Sequence, residues 1–118
     1  MFLFVSSYLT YRFIHSRFIS TQRELDTFGF FTIPVVEAFP EVADEYSQAV
    51  DDPMDFRTIE EERLSTYGHI SELQDDLILV FRNCCIFNEN NPEYYNYALD
   101  IWQRLNDVFD DVVKNNYK

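Results

Sequence analysis

Three kinds of side chain in this sequence have types and positions suited to chemistry: the amide of Asn88, the adjacent thiols of Cys84 and Cys85, and the imidazoles of His15 and His69. Asn88 lies four residues past Cys84, so it continues the apolar stripe of Leu73, Leu77, Phe81 and Cys84 just as a helix should end. An amide at an inward position near an open helix end needs hydrogen-bond partners, or it raises the free energy of the fold. Two roles meet that need. Asn88 can cap the helix, because asparagine tolerates the left-handed conformation found there, or it can hold the polar end of a ligand. The thiols and imidazoles admit a cysteine–histidine nucleophile. The same spacing, however, puts both cysteines on a helix stripe, where cysteine packs as a small apolar residue. A carboxylate-bridged metal centre would need inward Glu-x-x-His pairs, and neither histidine has a glutamate three residues before it. With two glycines in the whole chain there is no glycine-rich phosphate loop either. The residues therefore point to binding rather than catalysis, with no metal and no cofactor.

Four helical segments must position these groups. The first is expected over residues 4–28, where Phe4, Tyr8, Tyr11, Ile14, Phe18, Thr21, Leu25 and Phe28 recur at threes and fours. Its leading aromatics, Phe4, Tyr8 and Tyr11, suit either the core or an exposed apolar end that invites dimer contact. A short helix over 58–66 opens on Thr58 and Glu61, the spacing of a capping box, and contributes Ile59 and Leu64 to the core. A third helix over 71–88 opens on Ser71 and Gln74 in the same way, with Val80 and Phe87 beside its stripe. The fourth, over 91–115, starts at Asn91-Pro92, where proline's missing N–H costs nothing. Tyr95, Ala98, Trp102, Leu105, Phe109 and Val112 then mark its buried face. Residues 29–57 form a long segment without sustained period. Its content of Phe30, Phe31, Ile33, Val35, Val36, Phe39, Tyr46 and Met54 is too apolar for a solvated linker, so it must pack on the helices and serve a function.

Composition narrows the partners. The 118 residues suffice for one domain, and a 47% hydrophobic, 18% aromatic content argues for a packed globule. Nine basic residues stand against twenty-one acidic ones, for a net charge of −12. Naked nucleic acid binds through counterion displacement by Lys and Arg, so it is a poor match. An acidic surface attracts basic chains, although it also simply keeps proteins soluble. The ten acids and single Arg57 between residues 37 and 62 concentrate that charge. Adjacent cysteines cannot build a disulfide framework, which fits a reducing compartment, cytosol or nucleus. The apolar Met1-Phe2-Leu3-Phe4-Val5 has no basic flank and is soon interrupted by Arg12, His15 and Arg17, so it reads as neither a signal peptide nor a membrane span. No basic cluster reads as a nuclear import signal.

The ordered set Pro34-Val35, Tyr46, Pro53-Met54-Asp55-Phe56 with Thr58-Ile59, and Asn83-Cys84-Cys85-Ile86-Phe87-Asn88 resembles the bromodomain family over roughly residues 25 to 110. Asn91-Pro92-Glu93-Tyr94-Tyr95 further resembles the bromodomains associated with histone acetyltransferases. The resemblance implies an all-α, left-handed antiparallel four-helix bundle with a long ligand-binding loop between its first two helices, in a single domain spanning residues 1–118. It implies an acetyl-lysine pocket in which Asn88 anchors the acetyl oxygen and Tyr46 reaches it through a water. Val35 and Phe31 would surround the methyl, Tyr94 would stand at the mouth, and Phe87 and Cys84 would form one wall. Implied partners are acetylated histone or other lysine-rich tails, and the implied setting is nuclear, within a larger chromatin-associated protein. The chain ends just past its last helix, which fits one domain of such a protein. It departs from the family pattern at the usual Trp-Pro-Phe shelf, which reads Gly29-Phe30-Phe31, so that Phe30 either replaces the large aromatic wall or the wall is missing. Phe87 replaces a tyrosine, Ser47 a second loop tyrosine and Ala43 a loop leucine. These changes keep open a second reading, a degenerate bromodomain that serves as a scaffold without acetyl-lysine affinity.

Overall fold

The computed structural model describes residues 29–116, together with Ser16 and Ser20, which are helical and exposed. The rest of the helix expected over 4–28, with its aromatics, lies outside the described residues. Every regular element among the described residues is helical. In chain order these are α1 (Val35–Ala38), a 3-10 turn (Pro40–Val42), α2 (Ala43–Ala49) and α3 (Phe56–Thr58). The last of these runs on through a π turn (Ile59–Arg63) and a 3-10 turn (Leu64–Thr66). Then come α4 (Ile70–Phe87) and α5 (Pro92–Asn116). No described helix is long and apolar enough to cross a membrane.

The segment expected to be irregular is folded into short turns. Pro34 precedes α1 and Pro40 opens the 3-10 turn, each supplying a fixed φ where a helical turn begins. Elements of four and seven residues are too short to display a period, which is why the sequence reads as featureless there. Two backbone bonds join the ends of the segment: Phe56 N–H donates to the Phe31 carbonyl and Arg57 N–H to that of Thr32, both at 3.0 Å. The buried Asn83 amide on α4 donates to the Asp52 carbonyl at 2.7 Å, and Arg57 pairs with Glu37.

Both expected capping boxes are displaced toward the N-terminus. Asp55, not Thr58, caps α3: its carboxylate accepts from the Thr58 N–H at 3.0 Å and from the Thr58 hydroxyl at 2.5 Å. At α4 the cap is His69, not Ser71. The His69 Nδ1 accepts from Ser71 N–H at 3.1 Å, and the Glu72 carboxylate accepts from His69 N–H at 2.8 Å and also from Gly68 N–H. A charged carboxylate is a stronger acceptor than a hydroxyl or an amide, and in both places it is Asp55 or Glu72 that prevails.

The core lies between α3, α4 and α5. Phe56, Ile59, Leu64, Leu73, Phe81 and Leu105 are fully buried, each stabilising the fold by ~1.5–3 kcal/mol relative to exposure. Ala98, Leu105 and Phe109 of the expected α5 stripe are buried, and Ile101 joins them. Phe81 stacks on Trp102 with ring centroids 6.1 Å apart, tying α4 to α5. One polar network sits beside this core. The buried Asp76 of α4 accepts from Arg63 Nε at 3.0 Å and from the Tyr67 hydroxyl at 2.6 Å, fastening the π turn and the residues after it to α4.

Candidate functional site

Asn88 ends α4 as its C-cap, with φ −108° and ψ 26°, so the left-handed cap considered from sequence does not form. Its backbone N–H donates to the Cys84 carbonyl at 3.0 Å, and its side-chain Nδ2 donates to the same oxygen at 2.9 Å. Capping and ligand contact are compatible here, because an amide nitrogen carries two hydrogens. The first is spent on Cys84. Beyond it, among the described residues, Nδ2 has the weak acceptor Cys84 Sγ at 3.6 Å.

Asn88 borders a cavity of about 240 Å³ between the end of α4 and the folded segment before α3. That is below the ~300–1,000 Å³ usual for small-molecule sites, and it suits the end of one side chain. All eight residues singled out from sequence line it: Asn88, Tyr46, Val35, Phe31, Tyr94, Phe87, Cys84 and Phe30. Val80, Cys84 and Phe87 form the α4 wall, Val80 lying one turn before Cys84. Opposite stand Ile33 and Val35 of the segment, with Met54 near its far end.

Phe30 supplies the aromatic wall whose fate was open. Its ring meets Tyr94, Tyr97 and Phe39 edge-on, with centroids 5.5, 5.4 and 6.0 Å away. Gly29 has φ +66°, a backbone conformation strained for a residue with a Cβ, so the aromatic falls to its neighbour. Phe31 is buried at 3% exposure, edge-on to Phe81 at 5.0 Å, and closes the cavity toward the core. Tyr94, 41% exposed in the first turn of α5, stands at the mouth.

Tyr46 of α2 packs edge-on against Phe87 at 5.1 Å and is 3% exposed. Tyr46 lines the cavity, and its hydroxyl has no hydrogen-bond partner among the described residues. Burial, and then the Cys84 thiol and the Asp55 carboxylate, push its pKa up to about 12, so it stays a neutral donor. A nearly fully buried hydroxyl without a protein partner is a group awaiting a water or a ligand.

Sequence reasoning passed over Ile33, Phe39, Glu41, Val42, Met54, Asp55 and Val80 as lining residues. Val42 lines the cavity, and its neighbour Ala43 is not among the described lining residues. The 3-10 turn at Pro40–Val42 sets which of these neighbours faces inward, and no periodicity carries that choice. Val80 was legible, since it lies eight residues before Asn88 on the same helix. Among the described residues no Lys or Arg lines the cavity.

The thiol–imidazole alternative finds no support in the geometry. His69 caps the start of α4, and fifteen residues of helix, about 22 Å, separate it from Cys84. Burial raises the Cys85 thiol, which keeps it protonated and weakly nucleophilic. His15 lies outside the described residues.

Comparison with known proteins agrees with this geometry. The Bromodomain family model matches residues 17–100, well over half of the chain. Bromodomain-containing protein 7 of Mus musculus, of Pongo abelii and of Homo sapiens are each 35% identical over 74 residues, 62% of this chain. The match covers 11% of each relative's length, so the chain corresponds to a small part of those proteins. With the helical fold, the cavity at the end of α4 and the family match in agreement, the chain belongs to the bromodomain family.

Proposed function

We propose that the chain is a reader of acetylated lysine, taking the acetyl-lysine side chain into the cavity bordered by Asn88 and Tyr46. The observation that carries this reading is the pairing of two donors in a largely apolar enclosure with no Lys or Arg among its described lining residues: the second Nδ2 hydrogen of Asn88 and the hydroxyl of Tyr46, which has no partner among the described residues. Acetylation converts an ammonium into a neutral amide, which enters such an enclosure without the large desolvation cost of a charge. Asn88 donates to the acetyl oxygen, and Tyr46 reaches it through a bridging water at small entropic cost. Phe31, Val35, Phe87 and Cys84 surround the methyl and the aliphatic stem, while Phe30 and Tyr94 flank the entrance. An unmodified lysine would be buried unpaired, so selectivity comes chiefly from rejecting the charged form.

The acidic surface suits lysine-rich partners such as acetylated histone tails. A place in a larger chromatin-associated, nuclear protein that regulates transcription follows from the family. Bromodomains are binding modules, and the role proposed is recognition without turnover.

The test is calorimetric titration with paired acetylated and unacetylated lysine-rich peptides, repeated on Asn88→Ala. Binding should require the acetyl group and should weaken about 5- to 150-fold in Asn88→Ala, the range for stranding a buried acceptor. A thermal melt of the variant separates that loss from the loss of the helix cap. A folded wild-type chain that binds no acetylated peptide would instead support the scaffold reading.

A further inference from the structure

Two carboxylates border the cavity, and they differ in what else they do. Asp55 has both oxygens engaged by Thr58, one by its N–H and one by its hydroxyl. Nearby Glu37 is paired with Arg57. Glu41, exposed and also lining the cavity, has neither a hydrogen bond nor an ion pair among the described residues. It is therefore the uncommitted carboxylate of the cavity wall, and among the described residues no Lys or Arg lines the cavity to compete for it. Its backbone is well placed to fix its position. Glu41 is the middle residue of a 3-10 turn that begins at Pro40, is held by the Val42 N–H bond to the Phe39 carbonyl at 3.1 Å, and leads directly into α2.

Resting on the acetyl-lysine reading above, we propose that Glu41 is a specificity residue that selects peptides carrying a free cation, lysine or arginine, beside the acetylated residue. With the neutral acetyl group inside the cavity, a neighbouring cation on the same peptide lies at the mouth, within reach of a carboxylate whose backbone is held in a turn and which has no ion-pair partner among the described residues. The carboxylate stays in water, so the selection is modest and screened by salt. It acts at one place, unlike the diffuse attraction of a chain with net charge −12. Glu41 thus determines which acetylated sites are preferred, while Asn88 and Tyr46 determine that the site is acetylated.

The probe is a synthetic peptide with one acetyl-lysine and one free lysine walked along either side of it, each paired with a peptide bearing glutamine in place of the free lysine. Affinities are measured by calorimetry for the wild-type chain, for Glu41→Gln, and for Asp107→Asn. Asp107 is an exposed acid on α5 about 20 Å of helix beyond Tyr94, and its variant removes the same charge away from the cavity. The readout is the ratio of lysine-peptide to glutamine-peptide affinity, which cancels any general effect on the cavity. At one register the wild type should show a ratio of about two- to fivefold. That ratio should fall to about one in Glu41→Gln, persist in Asp107→Asn, and vanish as ionic strength approaches about 1 M. A ratio near one in the wild type, or one equally reduced by both variants, would overturn the proposal while acetyl-dependent binding stood. Absence of acetyl-dependent binding in the wild type would remove the underlying reading and this proposal together.

Discussion

Tyr46 and Tyr67 are two phenols in similar surroundings with opposite fates. Burial is the leading cause that pushes both hydroxyls above their ordinary pKa, and each lies near a carboxylate. Tyr67 donates to Asp76 at 2.6 Å, and Asp76 also receives Arg63, so every member of that group has a partner. Tyr46 lines a cavity, and its hydroxyl has none among the described residues. Among the described residues the fold satisfies the polar group that holds its helices together and leaves the Tyr46 hydroxyl at the cavity unsatisfied. The contrast separates scaffold from site without reference to any relative.

The sharpest way to break the contrast is to remove Asp76. Asp76→Ala removes the carboxylate that accepts from the Tyr67 hydroxyl and frees Arg63, whose half-exposed side chain water can solvate. Chemical denaturation should show a loss of about 2–3 kcal/mol, while acetyl-peptide affinity of the folded chain stays within twofold. A large change in affinity would mean that the two regions are coupled. Tyr67→Phe is the milder form and should destabilise by about 1–2 kcal/mol, again without affecting binding. Tyr46→Phe should do the reverse. It keeps the ring against Phe87 and deletes an unpaired hydroxyl, so the melting temperature should hold or rise. Acetyl-peptide affinity should drop about three- to tenfold through the lost bridging water. If Tyr46→Phe instead destabilises as much as Tyr67→Phe, its hydroxyl is structural.

The smallest effect concerns pH. The ordinary phenol value of 10 applies to Tyr46 in the unfolded chain, against about 12 in the fold. Below pH 10 the phenol is protonated in both states, and its contribution to stability is constant. Between 10 and 12 the unfolded chain releases the proton while the folded chain holds it, so stability falls as pH rises. Denaturation followed across that window should show the decline, shallower in Tyr46→Phe.

Much of the site was legible because its chemistry is carried by residues with few alternatives. Asn88 was legible as an inward asparagine at a helix end, and the resemblance to the bromodomain family supplied the other seven residues that the cavity gathers. The helices of the core were legible from period alone, as the burial of Leu73, Leu77, Phe81, Ala98, Leu105 and Phe109 bears out. The caps were misplaced for one shared reason. Serine and threonine at the right spacing compete with carboxylates nearby, and spacing does not rank acceptor strength, so Asp55 and the His69–Glu72 pair went unread. The π turn at Ile59–Arg63 was invisible, because one extra residue per turn leaves Ile59 and Leu64 buried with either winding. The short helices of the rim offer less than two turns each, too little for a pattern, and so which of Val42 and Ala43 faces inward had to come from the structure.

The pair of backbone bonds from Phe56 and Arg57 to Phe31 and Thr32 acts as a clasp at the base of the rim. A chain pinned at both ends closes its loop once, and lengthening the pinned part costs little, about 0.6 kcal/mol for each doubling. Residues between the clasped ends can therefore be inserted, deleted or exchanged while α3, α4 and α5 keep their packing. The recognition surface is modular in an engineering sense: transplanting the stretch from Ile33 to Asp52 between clasped scaffolds should move ligand preference with it and leave the helical core in place.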